Sequence, residues 1–168
     1  LKFWQEECRL YVWLHTETAE YYRKLDKIIS IPSILITAIT GGVLFSSSNN
    51  HIEFIDIVFG SLLIIGTFLQ TTRDFLDISG LINRNKNTAI AYQAIVNDIE
   101  EQLSQERQDR TDGKTLLRKI KVMKNDIVRN GPSISSVSWK KLKNSIAKGD
   151  IIHLYNSDFF NNYLQNLD

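Results

Sequence analysis

Two long stretches without a charged side chain, 28–45 and 57–72, limit what this chain can fold into more than any other feature. A helix needs about 20 mostly apolar residues to cross the roughly 30 Å hydrocarbon layer of a bilayer. The first stretch has 18 residues and stays uncharged through Asn50. The second has 16 and reaches spanning length only when its flanking residues, Asp56 and Arg73, lie at opposite interfaces. The pattern therefore predicts a membrane hairpin.

This hairpin divides the chain into four segments. We predict a cytosolic N-terminal amphipathic helix over 1–27 and a transmembrane hairpin over 28–72, with spans at about 28–48 and 54–72. A group of cytosolic helices is predicted over 73–148 and a C-terminal tail over 149–168. The predicted fold class is an all-α membrane protein. The alternative is a soluble bundle in which the same two helices are buried, since apolar runs alone do not separate the two cases.

The basic residues predict how the hairpin is oriented, because Lys and Arg accumulate on the cytoplasmic side of a membrane protein. The link between the two spans carries only Glu53 and Asp56 as charged residues. Basic residues stand instead before the first span and after the second, at Arg23, Lys24, Lys27, Arg73, Arg84 and Lys86. We therefore predict an integral membrane protein with both termini in the cytosol.

Composition argues against several function classes. A net charge of +1 argues against a nucleic-acid-binding protein, and the single cysteine, Cys8, excludes an intrachain disulfide. His15, His51 and His153 have no second ligand at metal-binding spacing, and no glycine-rich phosphate loop occurs. We therefore predict no catalytic residue, no metal site and no cofactor, and we do not expect an enzyme.

A proline lies where the N-terminal helix is expected to continue into the first span. Because Pro32 lacks the amide hydrogen that a helix needs, it predicts either a kink that acts as a hinge or a helix that begins afresh near Ser30. The alternative is a proline that is tolerated within the span.

After the hairpin, apolar residues at steps of four and three from Phe75 to Leu103 predict one long helix. This helix can enter a coiled coil or pack along the N-terminal helix. Asn85 lies on its seam, where a polar residue either fixes the oligomer register or is a solvated defect. Beyond a turn at 106–113, two shorter amphipathic helices follow, with apolar faces at Leu116, Ile120, Met123 and Ile127 and at Val137, Leu142 and Ile146.

A polar stripe runs along each span. Hydroxyl and amide groups in hydrocarbon need partners or water, so these stripes should face protein or a wet lumen. The first-span positions are Ser30, Ser33, Thr37, Thr40 and Leu44, and the second-span positions are Gly60, Thr67 and Gln70. Two interpretations remain open: several copies enclose a pore lined by the first stripe, or the stripes face each other and hold the hairpin together.

In the pore interpretation, Leu44 or Phe45 forms an apolar constriction near the outer end of the first span. Glu53 and Asp56 then surround the outer mouth and favour cations. We accordingly predict a homo-oligomeric, cation-preferring, ion-conducting pore in membrane lipid. The alternative is a non-conducting membrane-anchored scaffold whose cytosolic helices recruit partners.

Short motifs along the chain give it a resemblance to a known family. They are Trp13-Leu14-His15, Tyr21-Tyr22, Leu25, Ile31-Pro32-Ser33-Ile34, Thr40-Gly41, Phe45, Tyr92, Ile95, Ile99, Leu103 and Gly131-Pro132-Ser133-Ile134. On these residues the chain, over roughly 4–148, resembles the SLATT family. The resemblance implies two transmembrane helices followed by cytosolic helices. It also implies a pore-forming effector of prokaryotic conflict systems or large DNA viruses, triggered in some systems by nucleotide-dependent partners.

Overall fold

The computed structural model describes residues 1–46, 53–106 and 111–148, with the backbone alone described at 42–46 and 53–56. Five α-helices follow one another along these ranges, and no strand occurs within them. The helices are α1 (Lys2–Ser46), α2 (Glu53–Phe75), α3 (Ile78–Ser104), α4 (Gly113–Asn130) and α5 (Ser136–Lys148). The predicted all-α fold is therefore confirmed, whereas the predicted tail, 149–168, lies outside the described residues.

The helices form two compact units. The bundle unit comprises Leu1–Tyr21 and the described residues from Ile82 onward, and the hairpin unit comprises Tyr22–Leu81. The bundle unit thus contains the first part of α1, most of α3, and α4 and α5. In the part of the chain that the structure describes, no helix combines the length and the apolar character needed to cross a membrane.

Helix α1 passes through Pro32 without ending there. The proline removes one amide from the hydrogen-bond ladder of the helix, a loss that a helix can accommodate by bending. Because α1 runs from Lys2 to Ser46 as one helix, the alternative of a new helix beginning near Ser30 is wrong. The hinge role of Pro32 stays a prediction.

The junction between α2 and α3 corrects the prediction of one helix from Phe75 to Leu103. Helix α2 ends at Phe75, and α3 begins only at Ile78. Between them Asp77 adopts a left-handed backbone, with φ 45°, and its carboxylate accepts the amide hydrogen of Gly80 at 3.1 Å. A Cβ at Gly80 would lie 2.1 Å from the Asp77 carboxylate. Asp77 therefore caps a new helix instead of continuing the old one.

The apolar seam of α3 is buried inside the bundle unit. Tyr92, Ile95, Val96 and Ile99 form one core cluster with Cys8 of α1, joined by Leu116 and Ile120 of α4. A smaller cluster joins Leu10 and Leu14 of α1 to Leu142 of α5. Of the two predicted partners for the α3 seam, the structure therefore supports the N-terminal helix. The burial of Cys8 raises the pKa of its thiol to about 11.

Hydrogen bonds within a few residues define both ends of α4. The Asp112 side chain accepts the amide hydrogen of Thr115 as an N-cap, and the Gly131 amide donates to the Ile127 carbonyl as the helix ends. On α5 the expected apolar face is only partly correct, because Val137 is 45 % exposed. Ser138 is buried instead, with its hydroxyl 2.9 Å from that of Thr18.

A polar pair lies within the core of the bundle unit. His15 Nδ1 lies 2.9 Å from Asn85 Oδ1, and both side chains are buried. The His15 ring also stacks on Tyr92, with 5.9 Å between ring centroids. Burial lowers the pKa of His15, although the hydrogen bond to Asn85 opposes that effect. The neutral imidazole is therefore the form that the folded bundle favours.

We expect the bundle unit to lose stability as the pH falls below about 6.5, the ordinary histidine pKa. Because the folded His15 pKa is lowered, the unfolded chain binds that proton more readily, so acid favours unfolding. The H15Q variant keeps a hydrogen-bonding amide but does not titrate, and should lose less stability on acidification. Unfolding monitored by tryptophan fluorescence at two pH values measures this difference, since Trp4, Trp13 and Trp139 all belong to the bundle unit. Identical pH dependence in the two proteins would contradict the prediction.

Candidate functional site

In the hairpin unit, α1 and α2 run antiparallel. Asp26 Oδ1 lies 2.6 Å from Arg73 Nε, and the Ser33 hydroxyl donates to the Gly66 carbonyl oxygen at 3.1 Å. A step of seven residues forward along α1 thus corresponds to a step of seven residues back along α2. The two contacts fix the register of the hairpin.

Gly66 lies in close contact with α1. A Cβ at this position would be 3.1 Å from Ile36 Cγ2 and 3.7 Å from the Thr37 hydroxyl oxygen. At Gly60, on the same helix, an added Cβ would meet nothing within 4 Å. Small residues let helix backbones come together, so Gly66 determines how closely α1 and α2 pack.

A groove of about 540 Å³ lies beside this contact, along one side of the hairpin. Both helices contribute to it, and most of its residues carry a hydroxyl or an amide. The lining residues are Ser33, Ile34, Thr37 and Ala38 of α1 and Gly66, Thr67, Gln70 and Thr71 of α2. This hairpin groove is the candidate site.

Two hydroxyl oxygens in the groove remain able to accept a hydrogen bond. The Thr37 hydroxyl donates to the Ser33 carbonyl, and the Thr67 hydroxyl donates to the Leu63 carbonyl, each at 2.9 Å. A hydroxyl has one hydrogen and two lone pairs, so each oxygen keeps the capacity to accept. Thr37 and Thr67 are exposed. Each of these two oxygens can accept a hydrogen bond from water or coordinate a cation.

Charged groups close one end of the hairpin. The ion pair between Asp26 and Arg73 is about a quarter exposed, at 23 % and 25 %. Ser30 donates to the same carboxylate at 3.5 Å, and Gln70 donates to Asp74 at 3.3 Å. A partly exposed pair of this kind contributes no more than about 1 kcal/mol. It joins α1 to α2 at the end of the hairpin unit that lies farthest from the link.

Large apolar side chains are exposed on the hairpin unit, and one of them, Ile34, also lines the groove. Large exposed apolar patches mark surfaces that bind another protein or a membrane. Side chains that are at least 50 % exposed include Ile28, Ile31, Ile34, Leu35, Ile39, Ile57, Ile64, Ile65 and Phe68.

The predicted first-span stripe does not lie in one environment. Thr37 is exposed at the groove, whereas Ser33 and Thr40 are buried. The Ser33 hydroxyl bonds to Gly66 across the hairpin, and the Thr40 hydroxyl bonds to the Ile36 carbonyl of its own helix. For Ser33, the interpretation in which polar groups hold the hairpin together is therefore supported.

The other predicted site residues lie in several places. Thr67 and Gln70 line the groove, while Gly60 and Pro32 are exposed outside it. Asn85 belongs to the bundle unit and contacts His15 there, so its role in oligomer register stays a prediction. The side chains of Leu44, Phe45, Glu53 and Asp56 lie outside the described residues.

Sequence reasoning missed two features of the site. Thr71 lines the groove but falls off the four-three spacing of the second stripe. The second feature is the ion pair of Asp26 with Arg73. The sequence could have predicted it, because the two residues are equally distant from the middle of the link and carry opposite charges.

Among the described side chains, no group of three His, Cys, Asp or Glu residues could hold a metal ion. Comparison with protein-family models, curated proteins and solved structures finds no match.

Replacement of Gly66 by valine should destabilise the hairpin unit, because even a Cβ there crowds Ile36. The expected loss is about 1 to 3 kcal/mol. The control is G60V, which introduces the same β-branched side chain into α2 where no neighbour is met. Thermal unfolding of the full chain in detergent, followed by far-ultraviolet circular dichroism, compares the two variants. Equal effects would contradict close packing at Gly66.

Proposed function

We propose that this chain forms a homo-oligomeric membrane pore that conducts ions and prefers cations. The observation that carries the proposal is the distribution of side chains on the hairpin unit. Five of the eight groove residues carry a hydroxyl or an amide, and Ile34 is the one large apolar side chain among them, while many large apolar side chains are exposed elsewhere on the hairpin unit. Lipid tails cover apolar side chains readily, whereas exposed Thr and Gln side chains in a bilayer favour water or protein.

The membrane location is supported by the sequence. The first uncharged stretch continues through Asn50, and basic residues stand at both outer ends of the hairpin. This distribution supports an orientation with both termini in the cytosol. The resemblance to the SLATT family, with its two transmembrane helices and proposed pore-forming effectors, agrees with this assignment.

Several copies are needed to enclose a lumen. The hairpin groove is open along one side, so two helices alone cannot surround an ion path. Closed rotational symmetry brings the same groove of each copy to a common axis, where Thr37, Thr67, Gln70 and Thr71 would meet water.

The cation preference follows from the acceptor oxygens in the groove. Thr37 and Thr67 have donated their hydroxyl hydrogens to their own helix, and hydroxyl and carbonyl oxygens replace the hydration shell of a cation. Glu53 and Asp56 remain the proposed outer mouth, and Leu44 or Phe45 the proposed constriction.

A non-conducting membrane scaffold is the competing function, and one observation favours it. The hydroxyls of Ser33, Thr37 and Thr67 all find acceptors within the hairpin unit. The hairpin therefore does not require a wet lumen to satisfy them.

We expect T37L to lower the unitary conductance of the full chain in planar bilayers several-fold, because leucine replaces an acceptor oxygen with apolar bulk in the groove. The matched control is T72L, since the Thr72 hydroxyl also donates to its own helix, at 2.8 Å, but Thr72 is not a groove residue. T72L should conduct like the unmodified protein.

Three results would overturn this proposal. Equal conductance in T37L and the unmodified protein would remove the groove as the lining. The absence of unitary currents at every voltage and pH, or a detergent-solubilised particle with the mass of a monomer or dimer, would favour the scaffold.

A further inference from the structure

Basic residues are concentrated in the last two described helices. The range 113–148 contains ten Lys or Arg residues and one acidic residue, although the whole chain has 20 basic and 19 acidic residues. Three of these basic side chains form ion pairs with acidic side chains elsewhere in the bundle unit. They are Lys119 with Asp98, Lys124 with Glu7, and Lys141 with Glu17.

One side of α4 combines exposed basic and aliphatic side chains. At 3.6 residues per turn its members occupy a sector of about 120°, opposite the buried Leu116 and Ile120. Val122 and Val128 are each 63 % exposed, and the other members are exposed as well. This α4 basic face consists of Lys114, Arg118, Lys121, Val122, Asn125, Val128 and Arg129.

We propose that the α4 basic face binds the anionic headgroup surface of a membrane. Lys and Arg attract acidic phospholipids, and aliphatic side chains between them enter the boundary between headgroups and acyl chains. A nucleic-acid surface would instead combine basic residues with aromatic side chains that stack on bases, and this face has none. The proposal needs a bilayer, as the proposed function does, but it does not need ion conduction.

Four basic residues make the attraction strong enough to measure. Each Lys or Arg close to an anionic membrane strengthens binding about fivefold. The attraction is screened by salt, since the Debye length falls from about 10 Å at 0.1 M to about 3 Å at 1 M ionic strength. Lipid composition and salt are therefore the two variables that test the face.

The experiment places an environment-sensitive nitrobenzoxadiazole label on the face through N125C in the full chain. Native Cys8 is buried and holds its proton, because its pKa is raised to about 11, so the introduced thiol labels selectively. The protein is reconstituted into vesicles of phosphatidylcholine alone or with phosphatidylserine. We expect the emission to move to shorter wavelength only with phosphatidylserine, and to return at high salt.

Two matched controls separate the face from its surroundings. A label at A94C, on an exposed position of α3, should show no lipid-dependent shift. The double variant R118Q/K121Q should lose most of the emission shift of the label at position 125. The variant K2Q/K86Q removes the same amount of charge from exposed positions elsewhere and should retain the emission shift.

The outcomes distinguish this inference from the proposed pore. A shift at Asn125 that depends on phosphatidylserine supports the face, whether or not the same vesicles conduct ions. If the vesicles conduct ions but the label shows no such shift, membrane binding by the α4 basic face is contradicted and the proposed pore is not. An equal shift at Ala94, or a shift produced by single-stranded DNA and not by phosphatidylserine, also overturns the inference.

Discussion

The close contact at Gly66 is the constraint on which the site depends. The Ser33 hydroxyl reaches the Gly66 carbonyl, and Ile36 lies against the space where a side chain would be. Once this contact is made, the rotation of each helix about its own axis is set. Thr37, one turn beyond Ser33, and Thr67, next to Gly66, then both line the groove on the same side of the hairpin.

The bundle unit uses the apolar seam of α3 for packing within one chain. From Asn85 to Ile99, this seam is filled by side chains of the same chain. Many of the large apolar side chains that stay exposed lie instead on the hairpin unit. In the proposed homo-oligomer, these side chains would supply contacts between copies, while the role of Asn85 in oligomer register stays a prediction.

The sequence predicts single helices better than it predicts contacts between them. The start and end of α4 follow from Asp112 and Gly131, whose capping chemistry acts within a few residues. The break before α3 was missed, because a spacing of apolar residues continues across Asp77 while the backbone does not. The stripe on α1 was only partly correct for a related reason. Periodicity places Ser33 and Thr37 on one face, but the partner helix decides which of them is buried.

The net charge of +1 conceals an uneven distribution of charge along the chain, because a basic region and an acidic region nearly cancel. The range 113–148 is strongly basic, and the remainder is acidic by nearly the same amount. The α4 basic face and the basic residues beside the hairpin both favour the same side of a membrane. In the proposed membrane orientation, the positive-inside rule places Arg23 and Lys24 on the cytoplasmic side, and the cytoplasmic leaflet is the one that carries anionic lipids. In the proposed orientation, a basic face on a cytosolic helix therefore meets the only membrane surface that would attract it.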